Sequence, residues 1–280
     1  MGCRLSRLSA CVLAVTVTAC VGESAPDSAM TEPLVLDQSV QQAVRSTLSD
    51  YKPTATITTL SQTQEINNVG NFGKLVYYQS HGTYARQDNG LWEVAGSGGF
   101  TNGDASGAGE SLVLCGLVVL LNTSGSSSSL NTVGVAPAGK TFVPFGINAT
   151  VQFGVRRRVT KLETTAHLCT PAPGTSFSYH VEAEAWVKTS GLFGQTRHVT
   201  AVTDVTCHVA PSPTPAAEIL PAFRGEALHV SCETVVGSGT PHKSEYAFLR
   251  DAGLYLQLSI GEPGDVQTTK IRYDAVGYGT

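Results

Sequence analysis

Apolar and polar side chains alternate with a period of two over much of the C-terminal half, and that alternation predicts strands with one buried face. Phe177, Tyr179, Val181, Ala183, Ala185 and Val187 interleave with Ser178, His180, Glu182, Glu184, Trp186 and Lys188. After the loop 189–195, Val199, Ala201, Thr203, Val205 and Cys207 repeat the pattern. Bringing the apolar faces together pairs the two runs as an antiparallel hairpin, with Trp186 opposite His198, Glu184 opposite Thr200 and His180 opposite Asp204. Upstream, Val151, Phe153, Val155 and Val159 fall on odd positions, whereas Leu162, Thr164, Ala166 and Leu168 fall on even ones. Such a phase change within one long strand predicts a β-bulge near Thr160. Further strands are expected over 226–236, 245–250, 253–260 and 268–275, with Asp251-Ala252-Gly253 as a tight turn.

A single helical pattern stands near the N-terminus. Asp37 can cap it, and Val40, Ala43, Val44, Thr47 and Leu48 recur on one face before Pro53 ends it. Residues 54–60 and 74–79 alternate as strands do, and 83–86 with 91–95 bracket the turn Asp88-Asn89-Gly90 as a hairpin would. The most apolar window, 112–121, is too short to cross a bilayer as a helix, which needs roughly 20 residues. Periodicity does not separate a buried strand from a buried helix there; the favoured reading is a short buried helix after the Gly-rich stretch 96–109. Residues 124–129 read as a Gly/Ser loop, and Pro211, Pro213, Pro215 and Pro221 must pass between sheets or over an edge. The expected fold is mainly β, an antiparallel β-sandwich or open barrel with one N-terminal helix. The expected division is a leader over 1–19, a tether over 20–35, a helix-plus-β subdomain over 36–135 and an antiparallel β domain over 136–280.

The first twenty residues carry an address. Arg4 and Arg7 precede an apolar run over 8–17, and Val17-Thr18-Ala19-Cys20 closes it with small residues before a cysteine. This leader resembles those of bacterial lipoproteins. The resemblance implies a diacylglycerol on the Cys20 thiol, cleavage just before it, and a mature chain held in the cell envelope by its lipid. Two or more acyl chains anchor stably, since each buried methylene contributes ~0.8 kcal/mol and one chain alone holds marginally. Val21, not Asp, follows Cys20, and the resemblance then implies sorting to the outer membrane. Met1-Gly2-Cys3-Arg4-Leu5-Ser6 also fits a myristoylation pattern with Cys3 free for palmitate. Export is preferred because myristoylation has no use for the apolar run and small-residue site that follow. An inhibitor of lipoprotein signal peptidase separates the two, since only an exported precursor accumulates uncut.

Cysteine usage agrees with export. Beyond Cys3, Cys11 and Cys20, the body holds Cys115, Cys169, Cys207 and Cys232, an even set expected to form two disulfides. No Cys-x-x-Cys spacing supports zinc or thioredoxin-like chemistry, and four free buried thiols are the plainer alternative. If the strand 177–188 lies between 151–168 and 197–208, Cys169 and Cys207 stand two strand spacings apart. That is nearly ~10 Å, beyond what a disulfide tolerates. Cys115 with Cys169 and Cys207 with Cys232 is therefore favoured.

Charge narrows the partners. Without the leader, 16 of the 18 basic groups remain against 22 acidic ones, a net charge of −6, which gives no footprint for nucleic acid or an anionic membrane surface. Nucleophile-elbow, zinc-helix, Walker and dinucleotide motifs are absent, and no cofactor is expected. The best chemical constellation is His180, Glu182, Glu184, His198, Asp204 and His208 on one face of the hairpin; imidazoles and carboxylates there could bind a metal or act as acid and base. A solvated outer face of weak cross-strand pairs is the plainer reading. Arg156, Arg157 and Arg158 form no single patch, because alternation sends Arg157 to the opposite face from its neighbours; an acidic glycan or phosphate is the contact such residues would suit. Trp92, Trp186, Tyr77, Tyr78 and Tyr255 could stack on sugars, although strand aromatics usually pack. The function expected is a non-catalytic binding, adhesion or assembly module whose partner is an envelope protein or glycan. The alternative is a secreted hydrolase or metal-binding enzyme using the 177–208 hairpin.

Overall fold

The computed structural model describes residues 23–68, 74–101, 105–131, 148–165, 167–190, 194–261 and 267–279. The leader and Cys20 lie outside them. In chain order the elements are β1 (Glu23–Ser24), α1 (Gln38–Thr47), β2 (Ile57–Asn68), β3 (Lys74–Arg86), β4 (Trp92–Phe100), β5 (Ala105–Leu114), β6 (Val118–Asn131) and β7 (Asn148–Thr164). There follow β8 (Ser176–Thr189), β9 (Gln195–Val209), β10 (Thr214–Pro215), β11 (Glu226–Val236), β12 (His242–Leu249), β13 (Leu254–Ile260) and β14 (Gln267–Tyr278).

The chain is mainly β and antiparallel. The expected sandwich or open barrel is refined to a closed one, because β9 meets β11 directly, residues 203–209 against 230–236, and closes a twelve-strand barrel. The ring runs β9-β8-β7-β6-β5-β4-β3-β2-β14-β13-β12-β11. Where β9 and β11 part company, each leaves a free edge. β1 fills the one on β9, and β10, from the Pro-rich segment, fills the one on β11. Capping both edges removes the exposed ladders that invite pairing with other chains.

The 177–208 hairpin has the register expected of it, Trp186↔His198, Glu184↔Thr200 and His180↔Asp204, and the ladder shifts between Val159 and Lys161 where the phase change lies. The helix forms after Asp37, although the Asp37 carboxylate makes no capping hydrogen bond. Both disulfides pair as favoured, Cys115–Cys169 and Cys207–Cys232.

Three expectations are corrected. No helix forms over 112–121; β5 and β6 meet there in a tight turn through Cys115 (φ 44°) and Gly116 (φ 80°). The run is apolar throughout because both faces are covered: Val113 and Val119 pack in the cluster of Trp92, while Leu114, Val118 and Leu120 pack in that of Val40 and Val44. The Gly/Ser run 124–129 is not a loop but part of β6, paired with β5 on one side and β7 on the other. The tether is docked from Glu23 onward. Arg156 donates to the carbonyls of Ala29 and Glu32, and Asp27 accepts from Lys188 Nζ at 2.8 Å and Thr196 Oγ1 at 2.6 Å. The division expected near residue 135 falls between β6 and β7, which pair along their length in one sheet.

The base of the barrel is plugged. The β3–β4, β5–β6 and β12–β13 turns converge there with Tyr51 and Leu168, joined by Tyr255 N–H to Cys115 O at 2.8 Å and Tyr255 Oη–H to Leu168 O at 2.8 Å. Gly116 allows this approach, since a Cβ would lie 2.5 Å from the Tyr255 carbonyl oxygen.

Candidate functional site

The His/acid face lies on the outer wall, where β8 and β9 present it, and resolves into two groups. In the first, His180 Nδ1 lies 2.7 Å from Asp204 Oδ1 and its Nε2 3.4 Å from Glu182 Oε1, while Lys161 Nζ lies 3.2 Å from Glu182 and 3.0 Å from Glu163. In the second, Glu184 accepts from His198 Nε2 at 3.0 Å and from Arg158, whose guanidinium sits over the Trp186 ring at 5.8 Å. His208 stands apart, its Nδ1 2.8 Å from Ser176 Oγ. Among the described residues no group of three or more His, Cys, Asp or Glu side chains could hold a metal ion. Each imidazole is occupied by a cross-strand partner of the kind that stabilises sheet surfaces weakly.

Hydrogen bonding to Asp204 raises the His180 pKa, and Lys161 lowers that of Glu182. A raised histidine pKa stabilises the fold below its unfolded value, and the effect is lost as pH rises through the folded value. Asp204→Asn is therefore expected to lower the His180 titration midpoint in NMR while barely changing stability, because Asp204 is 63% exposed. An unmoved midpoint would separate the two side chains in solution.

The three arginines divide as alternation requires. Arg156 and Arg158 lie outside with the partners already named. Arg157 points inward in a row of register partners, Val94–Ser111–Asn122–Arg157–Ala185–Val199, that crosses six strands from β4 to β9. Its Nη1 donates to Val119 O at 2.6 Å. Burial lowers its pKa, with Tyr179 opposing. No described carboxylate pairs with it, and no described inward position of β2–β9 holds Asp or Glu.

Inward side chains change character along the barrel. Below the row, Trp92, Val159, Leu162, Val181, Val205 and Cys207 are buried. Ser111, Asn122 and Ala185 form its buried level. Rimward, the inward positions are small and partly exposed on β4 to β6, namely Gly96, Gly107, Gly109, Ser124 and Ser126, whereas the neighbouring strands carry larger ones: buried Tyr78 on β3, which covers Gly98, Val155 and Phe153 on β7, Val187 on β8 and Arg197 on β9. The barrel is thus a cup, solid at its base and lined toward the rim by small side chains along one wall, β4 to β6, and by larger ones on β3 and β7 to β9. Its interior tyrosines remain neutral; burial pushes Tyr84 and Tyr246 up to about 12.

On the outside, β3 to β6 carry a shallow depression of about 760 Å³ lined by His81, Thr83, Ala95, Ser97, Ala108 and Glu110. It adjoins a second of about 340 Å³ through His81 and Ser97. The aromatics proposed as sugar platforms mostly pack: Trp92, Tyr78 and Tyr255 are buried, whereas Tyr77 is 42% exposed. No protein-family model, curated protein or solved structure matches this chain.

Proposed function

We propose that this chain is an exported envelope protein, anchored by lipid at Cys20, whose barrel is a non-catalytic binding module that takes a small ligand or a glycan chain in its cup. The leader supports the anchor, and two disulfides suit an oxidising compartment. One observation carries the binding role: along the wall formed by β4 to β6, inward side chains pass from large and buried at the base, Trp92, Val113 and Val119, to small and partly exposed toward the rim, Gly96, Gly107, Gly109, Ser124 and Ser126. Barrel width grows with strand number, and about eight strands already give an interior just wide enough for side chains to fill. The outward faces of β8 and β9 carry His180, Glu182, Glu184, Lys188, His198 and Asp204, the reverse of the apolar-out order of lipid-facing strands. This polar face on β8 and β9 supports attachment through a lipid over insertion of that wall. An enzyme on the 177–208 face is disfavoured because its imidazoles are each taken up by a neighbouring side chain.

Two measurements test this. Metabolic labelling with a palmitate analogue should mark the wild type and not Cys20→Ser; an unmarked wild type removes the anchor. Protein extracted from envelopes should carry a small-molecule adduct in native mass spectrometry. Ser126→Trp, inward and rimward, should remove it, and Ser127→Trp on the outer face should not. No adduct in the wild type, or equal adducts in both variants, removes the binding cup.

A further inference from the structure

Arg157 is a cation set at the floor of a cup with no carboxylate beside it among the described residues. A guanidinium offers five N–H donors, and the Val119 carbonyl takes one of them. Holding such a charge away from water without a counter-charge costs several kcal/mol. Across the strand, the carboxamide of Asn122 is 95% buried, and its Oδ1 accepts no hydrogen bond. Ser111, next in the row, is buried as well. Three polar side chains on three adjacent strands therefore face inward at the level where small residues give way to the packed base.

We propose that the cup binds an oxyanion, a carboxylate or phosphate borne by its ligand, at Arg157, with Asn122 and Ser111 as neighbouring donors. The fork of a guanidinium matches two oxygens of either group, and a charge-assisted pair is about twice as strong as a neutral hydrogen bond. Turning the Asn122 carboxamide about its last torsion exchanges its orphan acceptor for an N–H donor aimed at the same anion. The rest of the ligand lies rimward, along Ser124 and Ser126 on β6 and their register partners Val155 and Phe153 on β7. This lining of hydroxyls beside apolar side chains suits an acidic or phosphorylated sugar, whose ring has polar edges and an apolar face.

The inference rests on the cup reading, and the probes separate the two. Inorganic phosphate, glucuronate and glucose are titrated at millimolar concentration into the purified protein, read by calorimetry and thermal unfolding. Phosphate or glucuronate should raise the wild-type midpoint, and glucose should act at least tenfold more weakly. Arg157→Met should fold at unchanged or higher midpoint, since it removes a desolvated charge, and should lose the anion response at least tenfold. Arg157→Lys, which keeps the charge but not the fork, should fall between. A response to phosphate alone assigns a phosphoryl ligand, and one to glucuronate alone a carboxylate. A wild type indifferent to both anions, or an Arg157→Met that binds them as the wild type does, overturns the oxyanion site. Equal binding of glucose and glucuronate overturns it too, while leaving the cup intact.

Discussion

Removing the Cys207–Cys232 disulfide by the paired substitution Cys207→Ala and Cys232→Ala is expected to destabilise the barrel and to open it along one seam. The two cysteines are register partners on β9 and β11, the pair of strands that closes the ring. Their sequence separation of 25 implies a loss of about 3.5 kcal/mol on the loop-entropy relation. What singles out this bridge is where the opening leads. Beyond β11 lie β12 and β13, and β13 meets β14, among the described residues, only at Ser259↔Lys270 and Ile260↔Thr269. A three-stranded block therefore hangs between a stapled seam and a short one. Hydrogen exchange in the variant should show the amides of β11–β13 opening at a lower free energy than those of β7–β9. Uniform protection, or an unchanged denaturation midpoint, would show that packing alone holds the seam. The Cys115–Cys169 bridge spans 54 residues and counts for about 4 kcal/mol on the same relation. It pins two base connections that Tyr255 also holds through Cys115 O and Leu168 O, so its loss should lower the midpoint without detaching a block.

The parts of this fold legible in the sequence are those where one face of a strand is buried and the other wet. The 177–208 hairpin shows its register because Val181, Ala183 and Ala185 alternate with His180, Glu182 and Glu184, and a slip of one residue would invert every face. The bulge at Thr160 is legible for the same reason. Residues 112–121 fail because both faces of the strands near the plugged base are covered, which erases the alternation. Residues 124–129 fail for the opposite cause: Ser124 and Ser126 face the cup and Ser127 faces out, and small polar residues on both faces leave no period to read. Barrel closure depends on β9 meeting β11 across the Pro-rich connection, a pairing that no local pattern encodes. Part of the candidate site was nonetheless visible. Alternation alone separates Arg157 from Arg156 and Arg158, and it misses only that the face receiving Arg157 is the inside of a closed barrel, where no described position of β2–β9 holds an acid. Asn122 and Ser111 give no signal in a sequence with so many similar residues; they acquire meaning as register partners of that arginine.

Trp92→Ala is expected to cost about 3–5 kcal/mol, the range for deleting a fully buried large side chain, and the reason is the knot it ties at the base. Trp92 is fully buried, and its Nε1–H donates to the Tyr51 hydroxyl at 2.8 Å. Tyr51 in turn donates to Gly253 O at 2.8 Å, and Arg86 lies over its ring at 5.6 Å. Strand β4, the segment after α1 and the β12–β13 turn are thus fastened through two side chains. Gly253, at φ 59°, leaves room for the Tyr51 ring, which would stand 2.3 Å from any Cβ there. Tyr51→Phe tests the polar half separately. It leaves the buried indole N–H without an acceptor, at about 1–3 kcal/mol, and little volume is lost. Trp92→Phe keeps much of the volume and removes the donor, so adding it to Tyr51→Phe should cost less than the sum of the single changes. A double-mutant cycle by urea unfolding measures that coupling. Strict additivity would mean that the indole and the phenol pack side by side without the hydrogen bond that joins helix, strand and turn.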